Sequence, residues 1–72
     1  MFNIGDLYRK AVAVKVTPNN IDFEYEYYRI IDWWNEEFGL KYCRIENINT
    51  GVNYDINVDL LKLMEKVDSN EN

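Results

Sequence analysis

The chain has 72 residues, a formal net charge of −5, one cysteine and no histidine. That length admits a single domain with a small core. The composition removes both usual reinforcements of so small a core, because Cys43 has no second cysteine to bridge to and a zinc site needs several Cys or His ligands. It also removes the usual base for a Ser, Cys or Thr nucleophile, so no enzymatic activity and no cofactor or metal is expected.

The opening Met1-Phe2-Asn3-Ile4-Gly5-Asp6 carries neither the basic region nor the apolar core of a signal peptide. No apolar run approaches the roughly 20 residues of a membrane span. With Cys43 read as a small core residue, a soluble, cytoplasmic protein without a membrane partner is expected. Gly5-Asp6 is a turn pair. Val12, Val14 and Val16 then share one face of a strand predicted over Leu7 to Val16. Thr17-Pro18-Asn19-Asn20 breaks it, with Pro preset for a turn and Asn tolerant of left-handed backbone.

The stretch from Asp22 to Gly39, DFEYEYYRIIDWWNEEFG, fits two templates. Phe23, Tyr27, Ile30, Ile31, Trp34 and Phe38 recur at helical spacing, with Gly39 as a stop, which gives an α+β alternative with a central helix over 22–38. Ile21, Phe23, Tyr25 and Tyr27 also alternate with Asp22, Glu24 and Glu26, as in a strand, and a bulge would account for the slip after Tyr27-Tyr28. Aromatic and β-branched residues lose up to about 0.7 kcal/mol each against Ala in a helix and suit a pleated surface. A strand from Ile21 to Trp33 is therefore expected, with its rings inward and its acids outward.

Leu40 to Glu46 forms the next predicted strand, Asn47-Ile48-Asn49-Thr50-Gly51 a hairpin turn, and Val52 to Ile56 a further strand. Asn57-Val58-Asp59 offers a helix start, and Leu60, Leu61, Leu63, Met64 and Val67 give a short C-terminal α-helix its apolar side. One domain over 1–67 and a frayed polar tail over 68–72 follow.

Short strands and one terminal helix predict a mainly β fold, a small antiparallel barrel. The segments FNIGDLYR, YYRIID, LKYCRIENINTGVNYDI and DLLKLM resemble the small SH3-like barrels of phage and mobile-element proteins. Those commonly open with Gly-Asp-x-Tyr and carry an Asn-x-x-Thr-Gly hairpin before a short closing helix. The long acidic and aromatic strand departs from that pattern. The resemblance implies a fold and supplies no site residues.

Charge directs the functional expectation. Asp22 to Glu37 holds six acids against one base, Arg29, while the rest of the chain holds seven of each. Direct nucleic-acid binding, which relies on clustered Lys and Arg, is disfavoured. No glycine-rich phosphate loop is present, and Asp55, Asn57 and Asp59 lack the Gly and closing Glu of a calcium loop. The remaining expectation is a protein-binding module that meets a partner with a basic surface. Asp22, Glu24, Glu26, Glu36 and Glu37 would supply the charge and Trp33 the aromatic anchor. In its sharper form it is a phage-type inhibitor that mimics nucleic acid in the groove of a host enzyme or defence complex. A nucleic-acid-binding barrel with Arg9, Lys10, Lys15, Lys41 and Arg44 on one face is the alternative, and an assembly subunit the third class.

Overall fold

The computed structural model describes residues 3–67, with Glu37 described only through its backbone. Phe2 and the tail 68–72, expected to fray, lie outside the described residues. Five strands follow in order: β1 (Leu7–Thr17), β2 (Asn20–Asn35), β3 (Lys41–Asn47), β4 (Asn53–Asn57) and β5 (Glu65–Val67). Short 3-10 turns occupy Glu37–Gly39 and Val58–Leu63. The central segment is a strand, and the helix over 22–38 is excluded. Its rings and β-branched side chains lose rotamer freedom in a helix but lie readily across a sheet.

All five strands form one antiparallel sheet in the order β4-β3-β2-β1-β5. β2 serves two partners in turn: Asn20 to Arg29 pairs with β1, and Tyr28 to Asn35 pairs with β3. The register shifts between Ile30 and Asp32, so Ile31 is the extra residue of a bulge. The slip expected after Tyr27-Tyr28 falls three residues later. Tyr28 and Ile30 face the core by ordinary alternation, and beyond the bulge the phase is opposite, with Trp33 on the core side and Trp34 on the other.

Two expectations are corrected. The barrel is not closed, because β4 and β5 remain the two edges of an open sheet. β4 has five residues and β5 three, and the Val58–Leu63 turn that joins them packs against β3 and β4. The C-terminal α-helix is replaced by the 3-10 turn Val58–Leu63 and by β5, which pairs with Leu7 to Arg9. The start signal holds: the Asp59 amide donates to Asn57 Oδ1 at 2.8 Å. Six residues beginning with a β-branched valine are too few to recover the cost of nucleating an α-helix. The turn sinks Leu61 into the open side of the sheet instead.

Tyr8, Tyr28, Ile30, Cys43, Ile45 and Leu61 make the core, with Ile56, Val58 and Met64 packed against it. Cys43 is the small core residue expected, and burial pushes its thiol up from the ordinary range. The β3–β4 turn is held by Asn47, whose Oδ1 accepts from the amides of Asn49 and Thr50 at 2.9 and 3.1 Å. Gly51 takes φ 75° there, as its place in the turn requires.

Ile30 is 0 % exposed at the centre of this core. Ile30→Val removes one methylene and should lower unfolding free energy by about 1 kcal/mol, and Ile30→Ala by about 2–5 kcal/mol. Urea denaturation followed by tryptophan fluorescence measures both. An unchanged midpoint for the alanine variant would place Ile30 outside the core.

Candidate functional site

β1 meets β5 only at Leu7 to Arg9, and β2 meets β3 only from Tyr28 onward. Lys10 to Thr17 and Asn20 to Tyr27 therefore run on as a two-stranded ribbon with no further strand beside it among the described residues. Its tip is closed by Pro18-Asn19, with the Thr17 hydroxyl donating to the Asn20 carbonyl at 3.0 Å.

Register assigns the ribbon two unlike faces. On one, Ala11 stands opposite Tyr25, Ala13 opposite Phe23 and Val16 opposite Ile21. On the other, Lys10 stands opposite Glu26, Val12 opposite Glu24 and Lys15 opposite Asp22. Val14 is the extra residue of a bulge between Ala13 and Lys15. The expected orientation is reversed. Asp22, Glu24 and Glu26 share the phase of the buried Tyr28 and Ile30, while Phe23 is 60 % exposed and Tyr25 and Ile21 are exposed beside it. The core ends where β3 ends, so the ribbon has nothing beneath it to cover rings on either side.

The three carboxylates still form a row, about 7 Å apart by two residues of rise. β1 sets cations against that row. Lys10 Nζ lies 3.9 Å from Glu26 Oε1, and Lys15 is the cross-strand neighbour of Asp22. Glu26 also accepts the Tyr28 hydroxyl at 2.9 Å, leaving Glu24, opposite Val12, as the acid without a cross-strand cation. From Leu7 to Arg29 the hairpin carries four bases and three acids. A charge excess concentrated along the chain is thus dispersed in space.

The other predicted site residues lie elsewhere. Trp33 faces the core side opposite Cys43 and is 41 % exposed. Nine residues of strand separate it from Glu24, about 30 Å. Trp34 points to the opposite face and stacks on Tyr42, with centroids 6.3 Å apart and planes at 21°. Its indole N–H donates to Glu36 Oε1 at 2.9 Å, so Glu36 braces a ring. The Glu37 side chain lies outside the described part of the structure. Phe38, which the helical template placed on an apolar face, instead adopts φ 62° in the turn after β2 and is 96 % exposed next to Leu40. Positive φ in a bulky residue is rare, and Gly39 beside it gave a partial signal of an unusual turn.

The bases of the nucleic-acid alternative do not gather. Arg9 and Arg44 lie on one face, paired with Glu65 and Asp55, while Lys10 and Lys15 lie on the other. Lys41 sits near Tyr8 and Leu61 at the rim of a separate cleft. A larger cleft of about 580 Å³ opens under the Val58–Leu63 turn, lined chiefly by apolar groups including Ile45, Ile56, Leu60 and Met64. Among the described residues no group of three metal-binding side chains is found, and no helix is long and apolar enough to cross a membrane. Comparison with family models, curated proteins and solved structures returned no match.

Arg44 links the stack to β4. Its Nε donates to Asp55 Oδ1 at 2.7 Å, and its guanidinium lies 5.7 Å from the Trp34 ring. The guanidinium holds the Asp55 carboxyl below the ordinary carboxylate range. A depressed folded-state pKa gives stability that is present above the unfolded-state value, about 4, and lost as pH falls through the lower folded value. Asp55→Asn should therefore melt below wild type at pH 7, and the gap should close as pH is lowered through that window. Melting curves from pH 7 down to pH 2 check this; a gap that persists at the acid end would show that the pair contributes by packing instead.

Proposed function

We propose that this chain is a non-enzymatic protein-binding module whose contact element is the projecting β1–β2 ribbon. The observation that carries the reading is the ribbon's apolar face, where Val16 is 70 % exposed beside exposed Ile21, Phe23 and Tyr25. A contiguous apolar patch in water marks an interaction surface, and aromatic anchors supply most of the energy of such contacts. The unpaired ribbon edges add backbone groups that a partner strand can meet.

The SH3-like resemblance is supported by a meander whose last strand returns to the first, with a 3-10 turn spanning the open side. A single buried thiol suits a reducing, cytoplasmic setting. In the inhibitor form, Asp22, Glu24 and Glu26 occupy a basic, nucleic-acid-binding groove of a phage host's enzyme or defence complex. That form has the acid row in its favour and Lys10 and Lys15 against it.

Partner recovery from a bacterial lysate, with mass spectrometry, tests the module. Val16→Ser with Phe23→Ser should cut recovery at least about 10-fold and leave the melting temperature near wild type, since neither side chain is buried. Retained recovery would sink the ribbon as contact element. A salt titration separates the two forms: binding through the acid row weakens as salt rises, and binding through the apolar face does not.

A further inference from the structure

Large and small residues are segregated by strand on the ribbon's apolar face. Phe23 and Tyr25 stand on β2, and their cross-strand partners on β1 are Ala13 and Ala11, both exposed. The face is thus a ridge of rings beside a trough floored by methyl groups. Val16 bounds the trough at the tip. Arg9 bounds it at the base, its guanidinium 4.1 Å from the Tyr25 ring. A two-fold axis running along the ribbon between its strands turns the face over and exchanges the positions of β1 and β2. Each ridge then lies over the other copy's trough. An axis across the strands would instead set ridge on ridge.

From this self-complementarity we infer that the occupant of the ribbon's apolar face is a second copy of this chain, in an isologous dimer. The inference rests on the ribbon being a protein-contact element, and it names that contact's partner. Charge permits it. Lys10, Lys15, Asp22, Glu24 and Glu26 lie on the far face, while Arg9, the charge at the base of the near face, is paired with Glu65; the hairpin as a whole has four bases and three acids. The exposed apolar side chains amount to at most roughly 400–500 Å² per copy, so the pair buries no more than about 800–1,000 Å², below the roughly 1,200 Å² at which stable interfaces begin and in the range of weak, transient ones. The dimer is accordingly weak, forming at micromolar rather than nanomolar concentration.

Sedimentation equilibrium of the whole chain, over about 5 µM to 1 mM, reads the result. The expected mass rises from 8.7 kDa towards twice that value. Phe23→Lys removes the ridge and Ala13→Glu fills the trough, so each alone should raise the dissociation constant at least about 10-fold. Their equimolar mixture should recover association. One contact then sets the introduced lysine against the introduced glutamate, and the other retains Phe23 over Ala13. Circular dichroism melts of each variant confirm that the fold is kept. A monomer at every concentration, growth beyond two copies, or a mixture that stays monomeric while both variants are folded would overturn the dimer. If the chain is monomeric and Phe23→Lys still loses a lysate partner, the ribbon reading stands and the second copy is wrong. If it is monomeric and partner recovery is untouched, both fall.

Discussion

β2 takes part in two pairings that overlap by only two residues, and the rest of the molecule follows from that. Its 16 residues exceed the seven of β3, so β3 flanks only its second half. Where β2 first gains β3 on its far side, Tyr28 and Ile30 sit over Cys43, Ile45 and Leu61, and apolar surface leaves water. Before that point the strand has only β1 beside it and no third layer. Two-stranded ribbons are marginal alone, and this one is anchored at its base by the core residue Tyr8 and by pairing with β5. That boundary and the facing of the strand together define the surface: Tyr28, on the core side beside β3, is buried, while Phe23 and Tyr25, on the opposite face of the ribbon, are exposed.

Electrostatics obeys the same geometry. Along the sequence the acids between Asp22 and Glu37 look like a block. Folding sets β1, with Lys10 and Lys15, against β2, and sets Arg44 of β3 beside Asp55 of β4. The pairs are exposed and contribute little individually to stability. Their larger effect is to remove a long-range field from the ribbon, which shifts the basis of recognition from charge towards shape and apolar contact.

Much of this was legible in the chain. The first four strands lie within two residues of their predicted ends, because each turn between them is written in chemistry that acts locally: Pro18-Asn19, the positive-φ Gly39 and the Asn47-to-Gly51 hairpin. Extended structure over the aromatic segment was also readable from side-chain type. The facing of that segment was not. Alternation states that Phe23 and Glu24 lie on opposite sides, but whether either side is covered depends on the length of β3, a partner 18 residues further on. β5 was missed for a related reason, since Glu65-Lys66-Val67 has little strand character and extends only because Leu7 to Arg9 offer an edge. Trp33 and the acids were grouped by proximity in sequence, and an extended strand is the conformation that separates such neighbours most.

The ribbon's charged face and its irregularities bear on why association should stop at two copies. Pairing β1 edges would bring Lys10 and Lys15 of each copy together, and pairing β2 edges would do the same for Asp22, Glu24 and Glu26. Like charges on adjacent strands oppose both. Pairing the β1 edge of one copy with the β2 edge of the next is electrostatically favourable and, being heterologous, would propagate without end. The bulge at Val14 interrupts the β1 ladder midway along its free edge, the kind of irregularity that blocks such growth. With edge pairing between copies opposed by charge and by backbone, the apolar face is the remaining route to self-association, and its segregated rings and methyl groups fit it to close on itself.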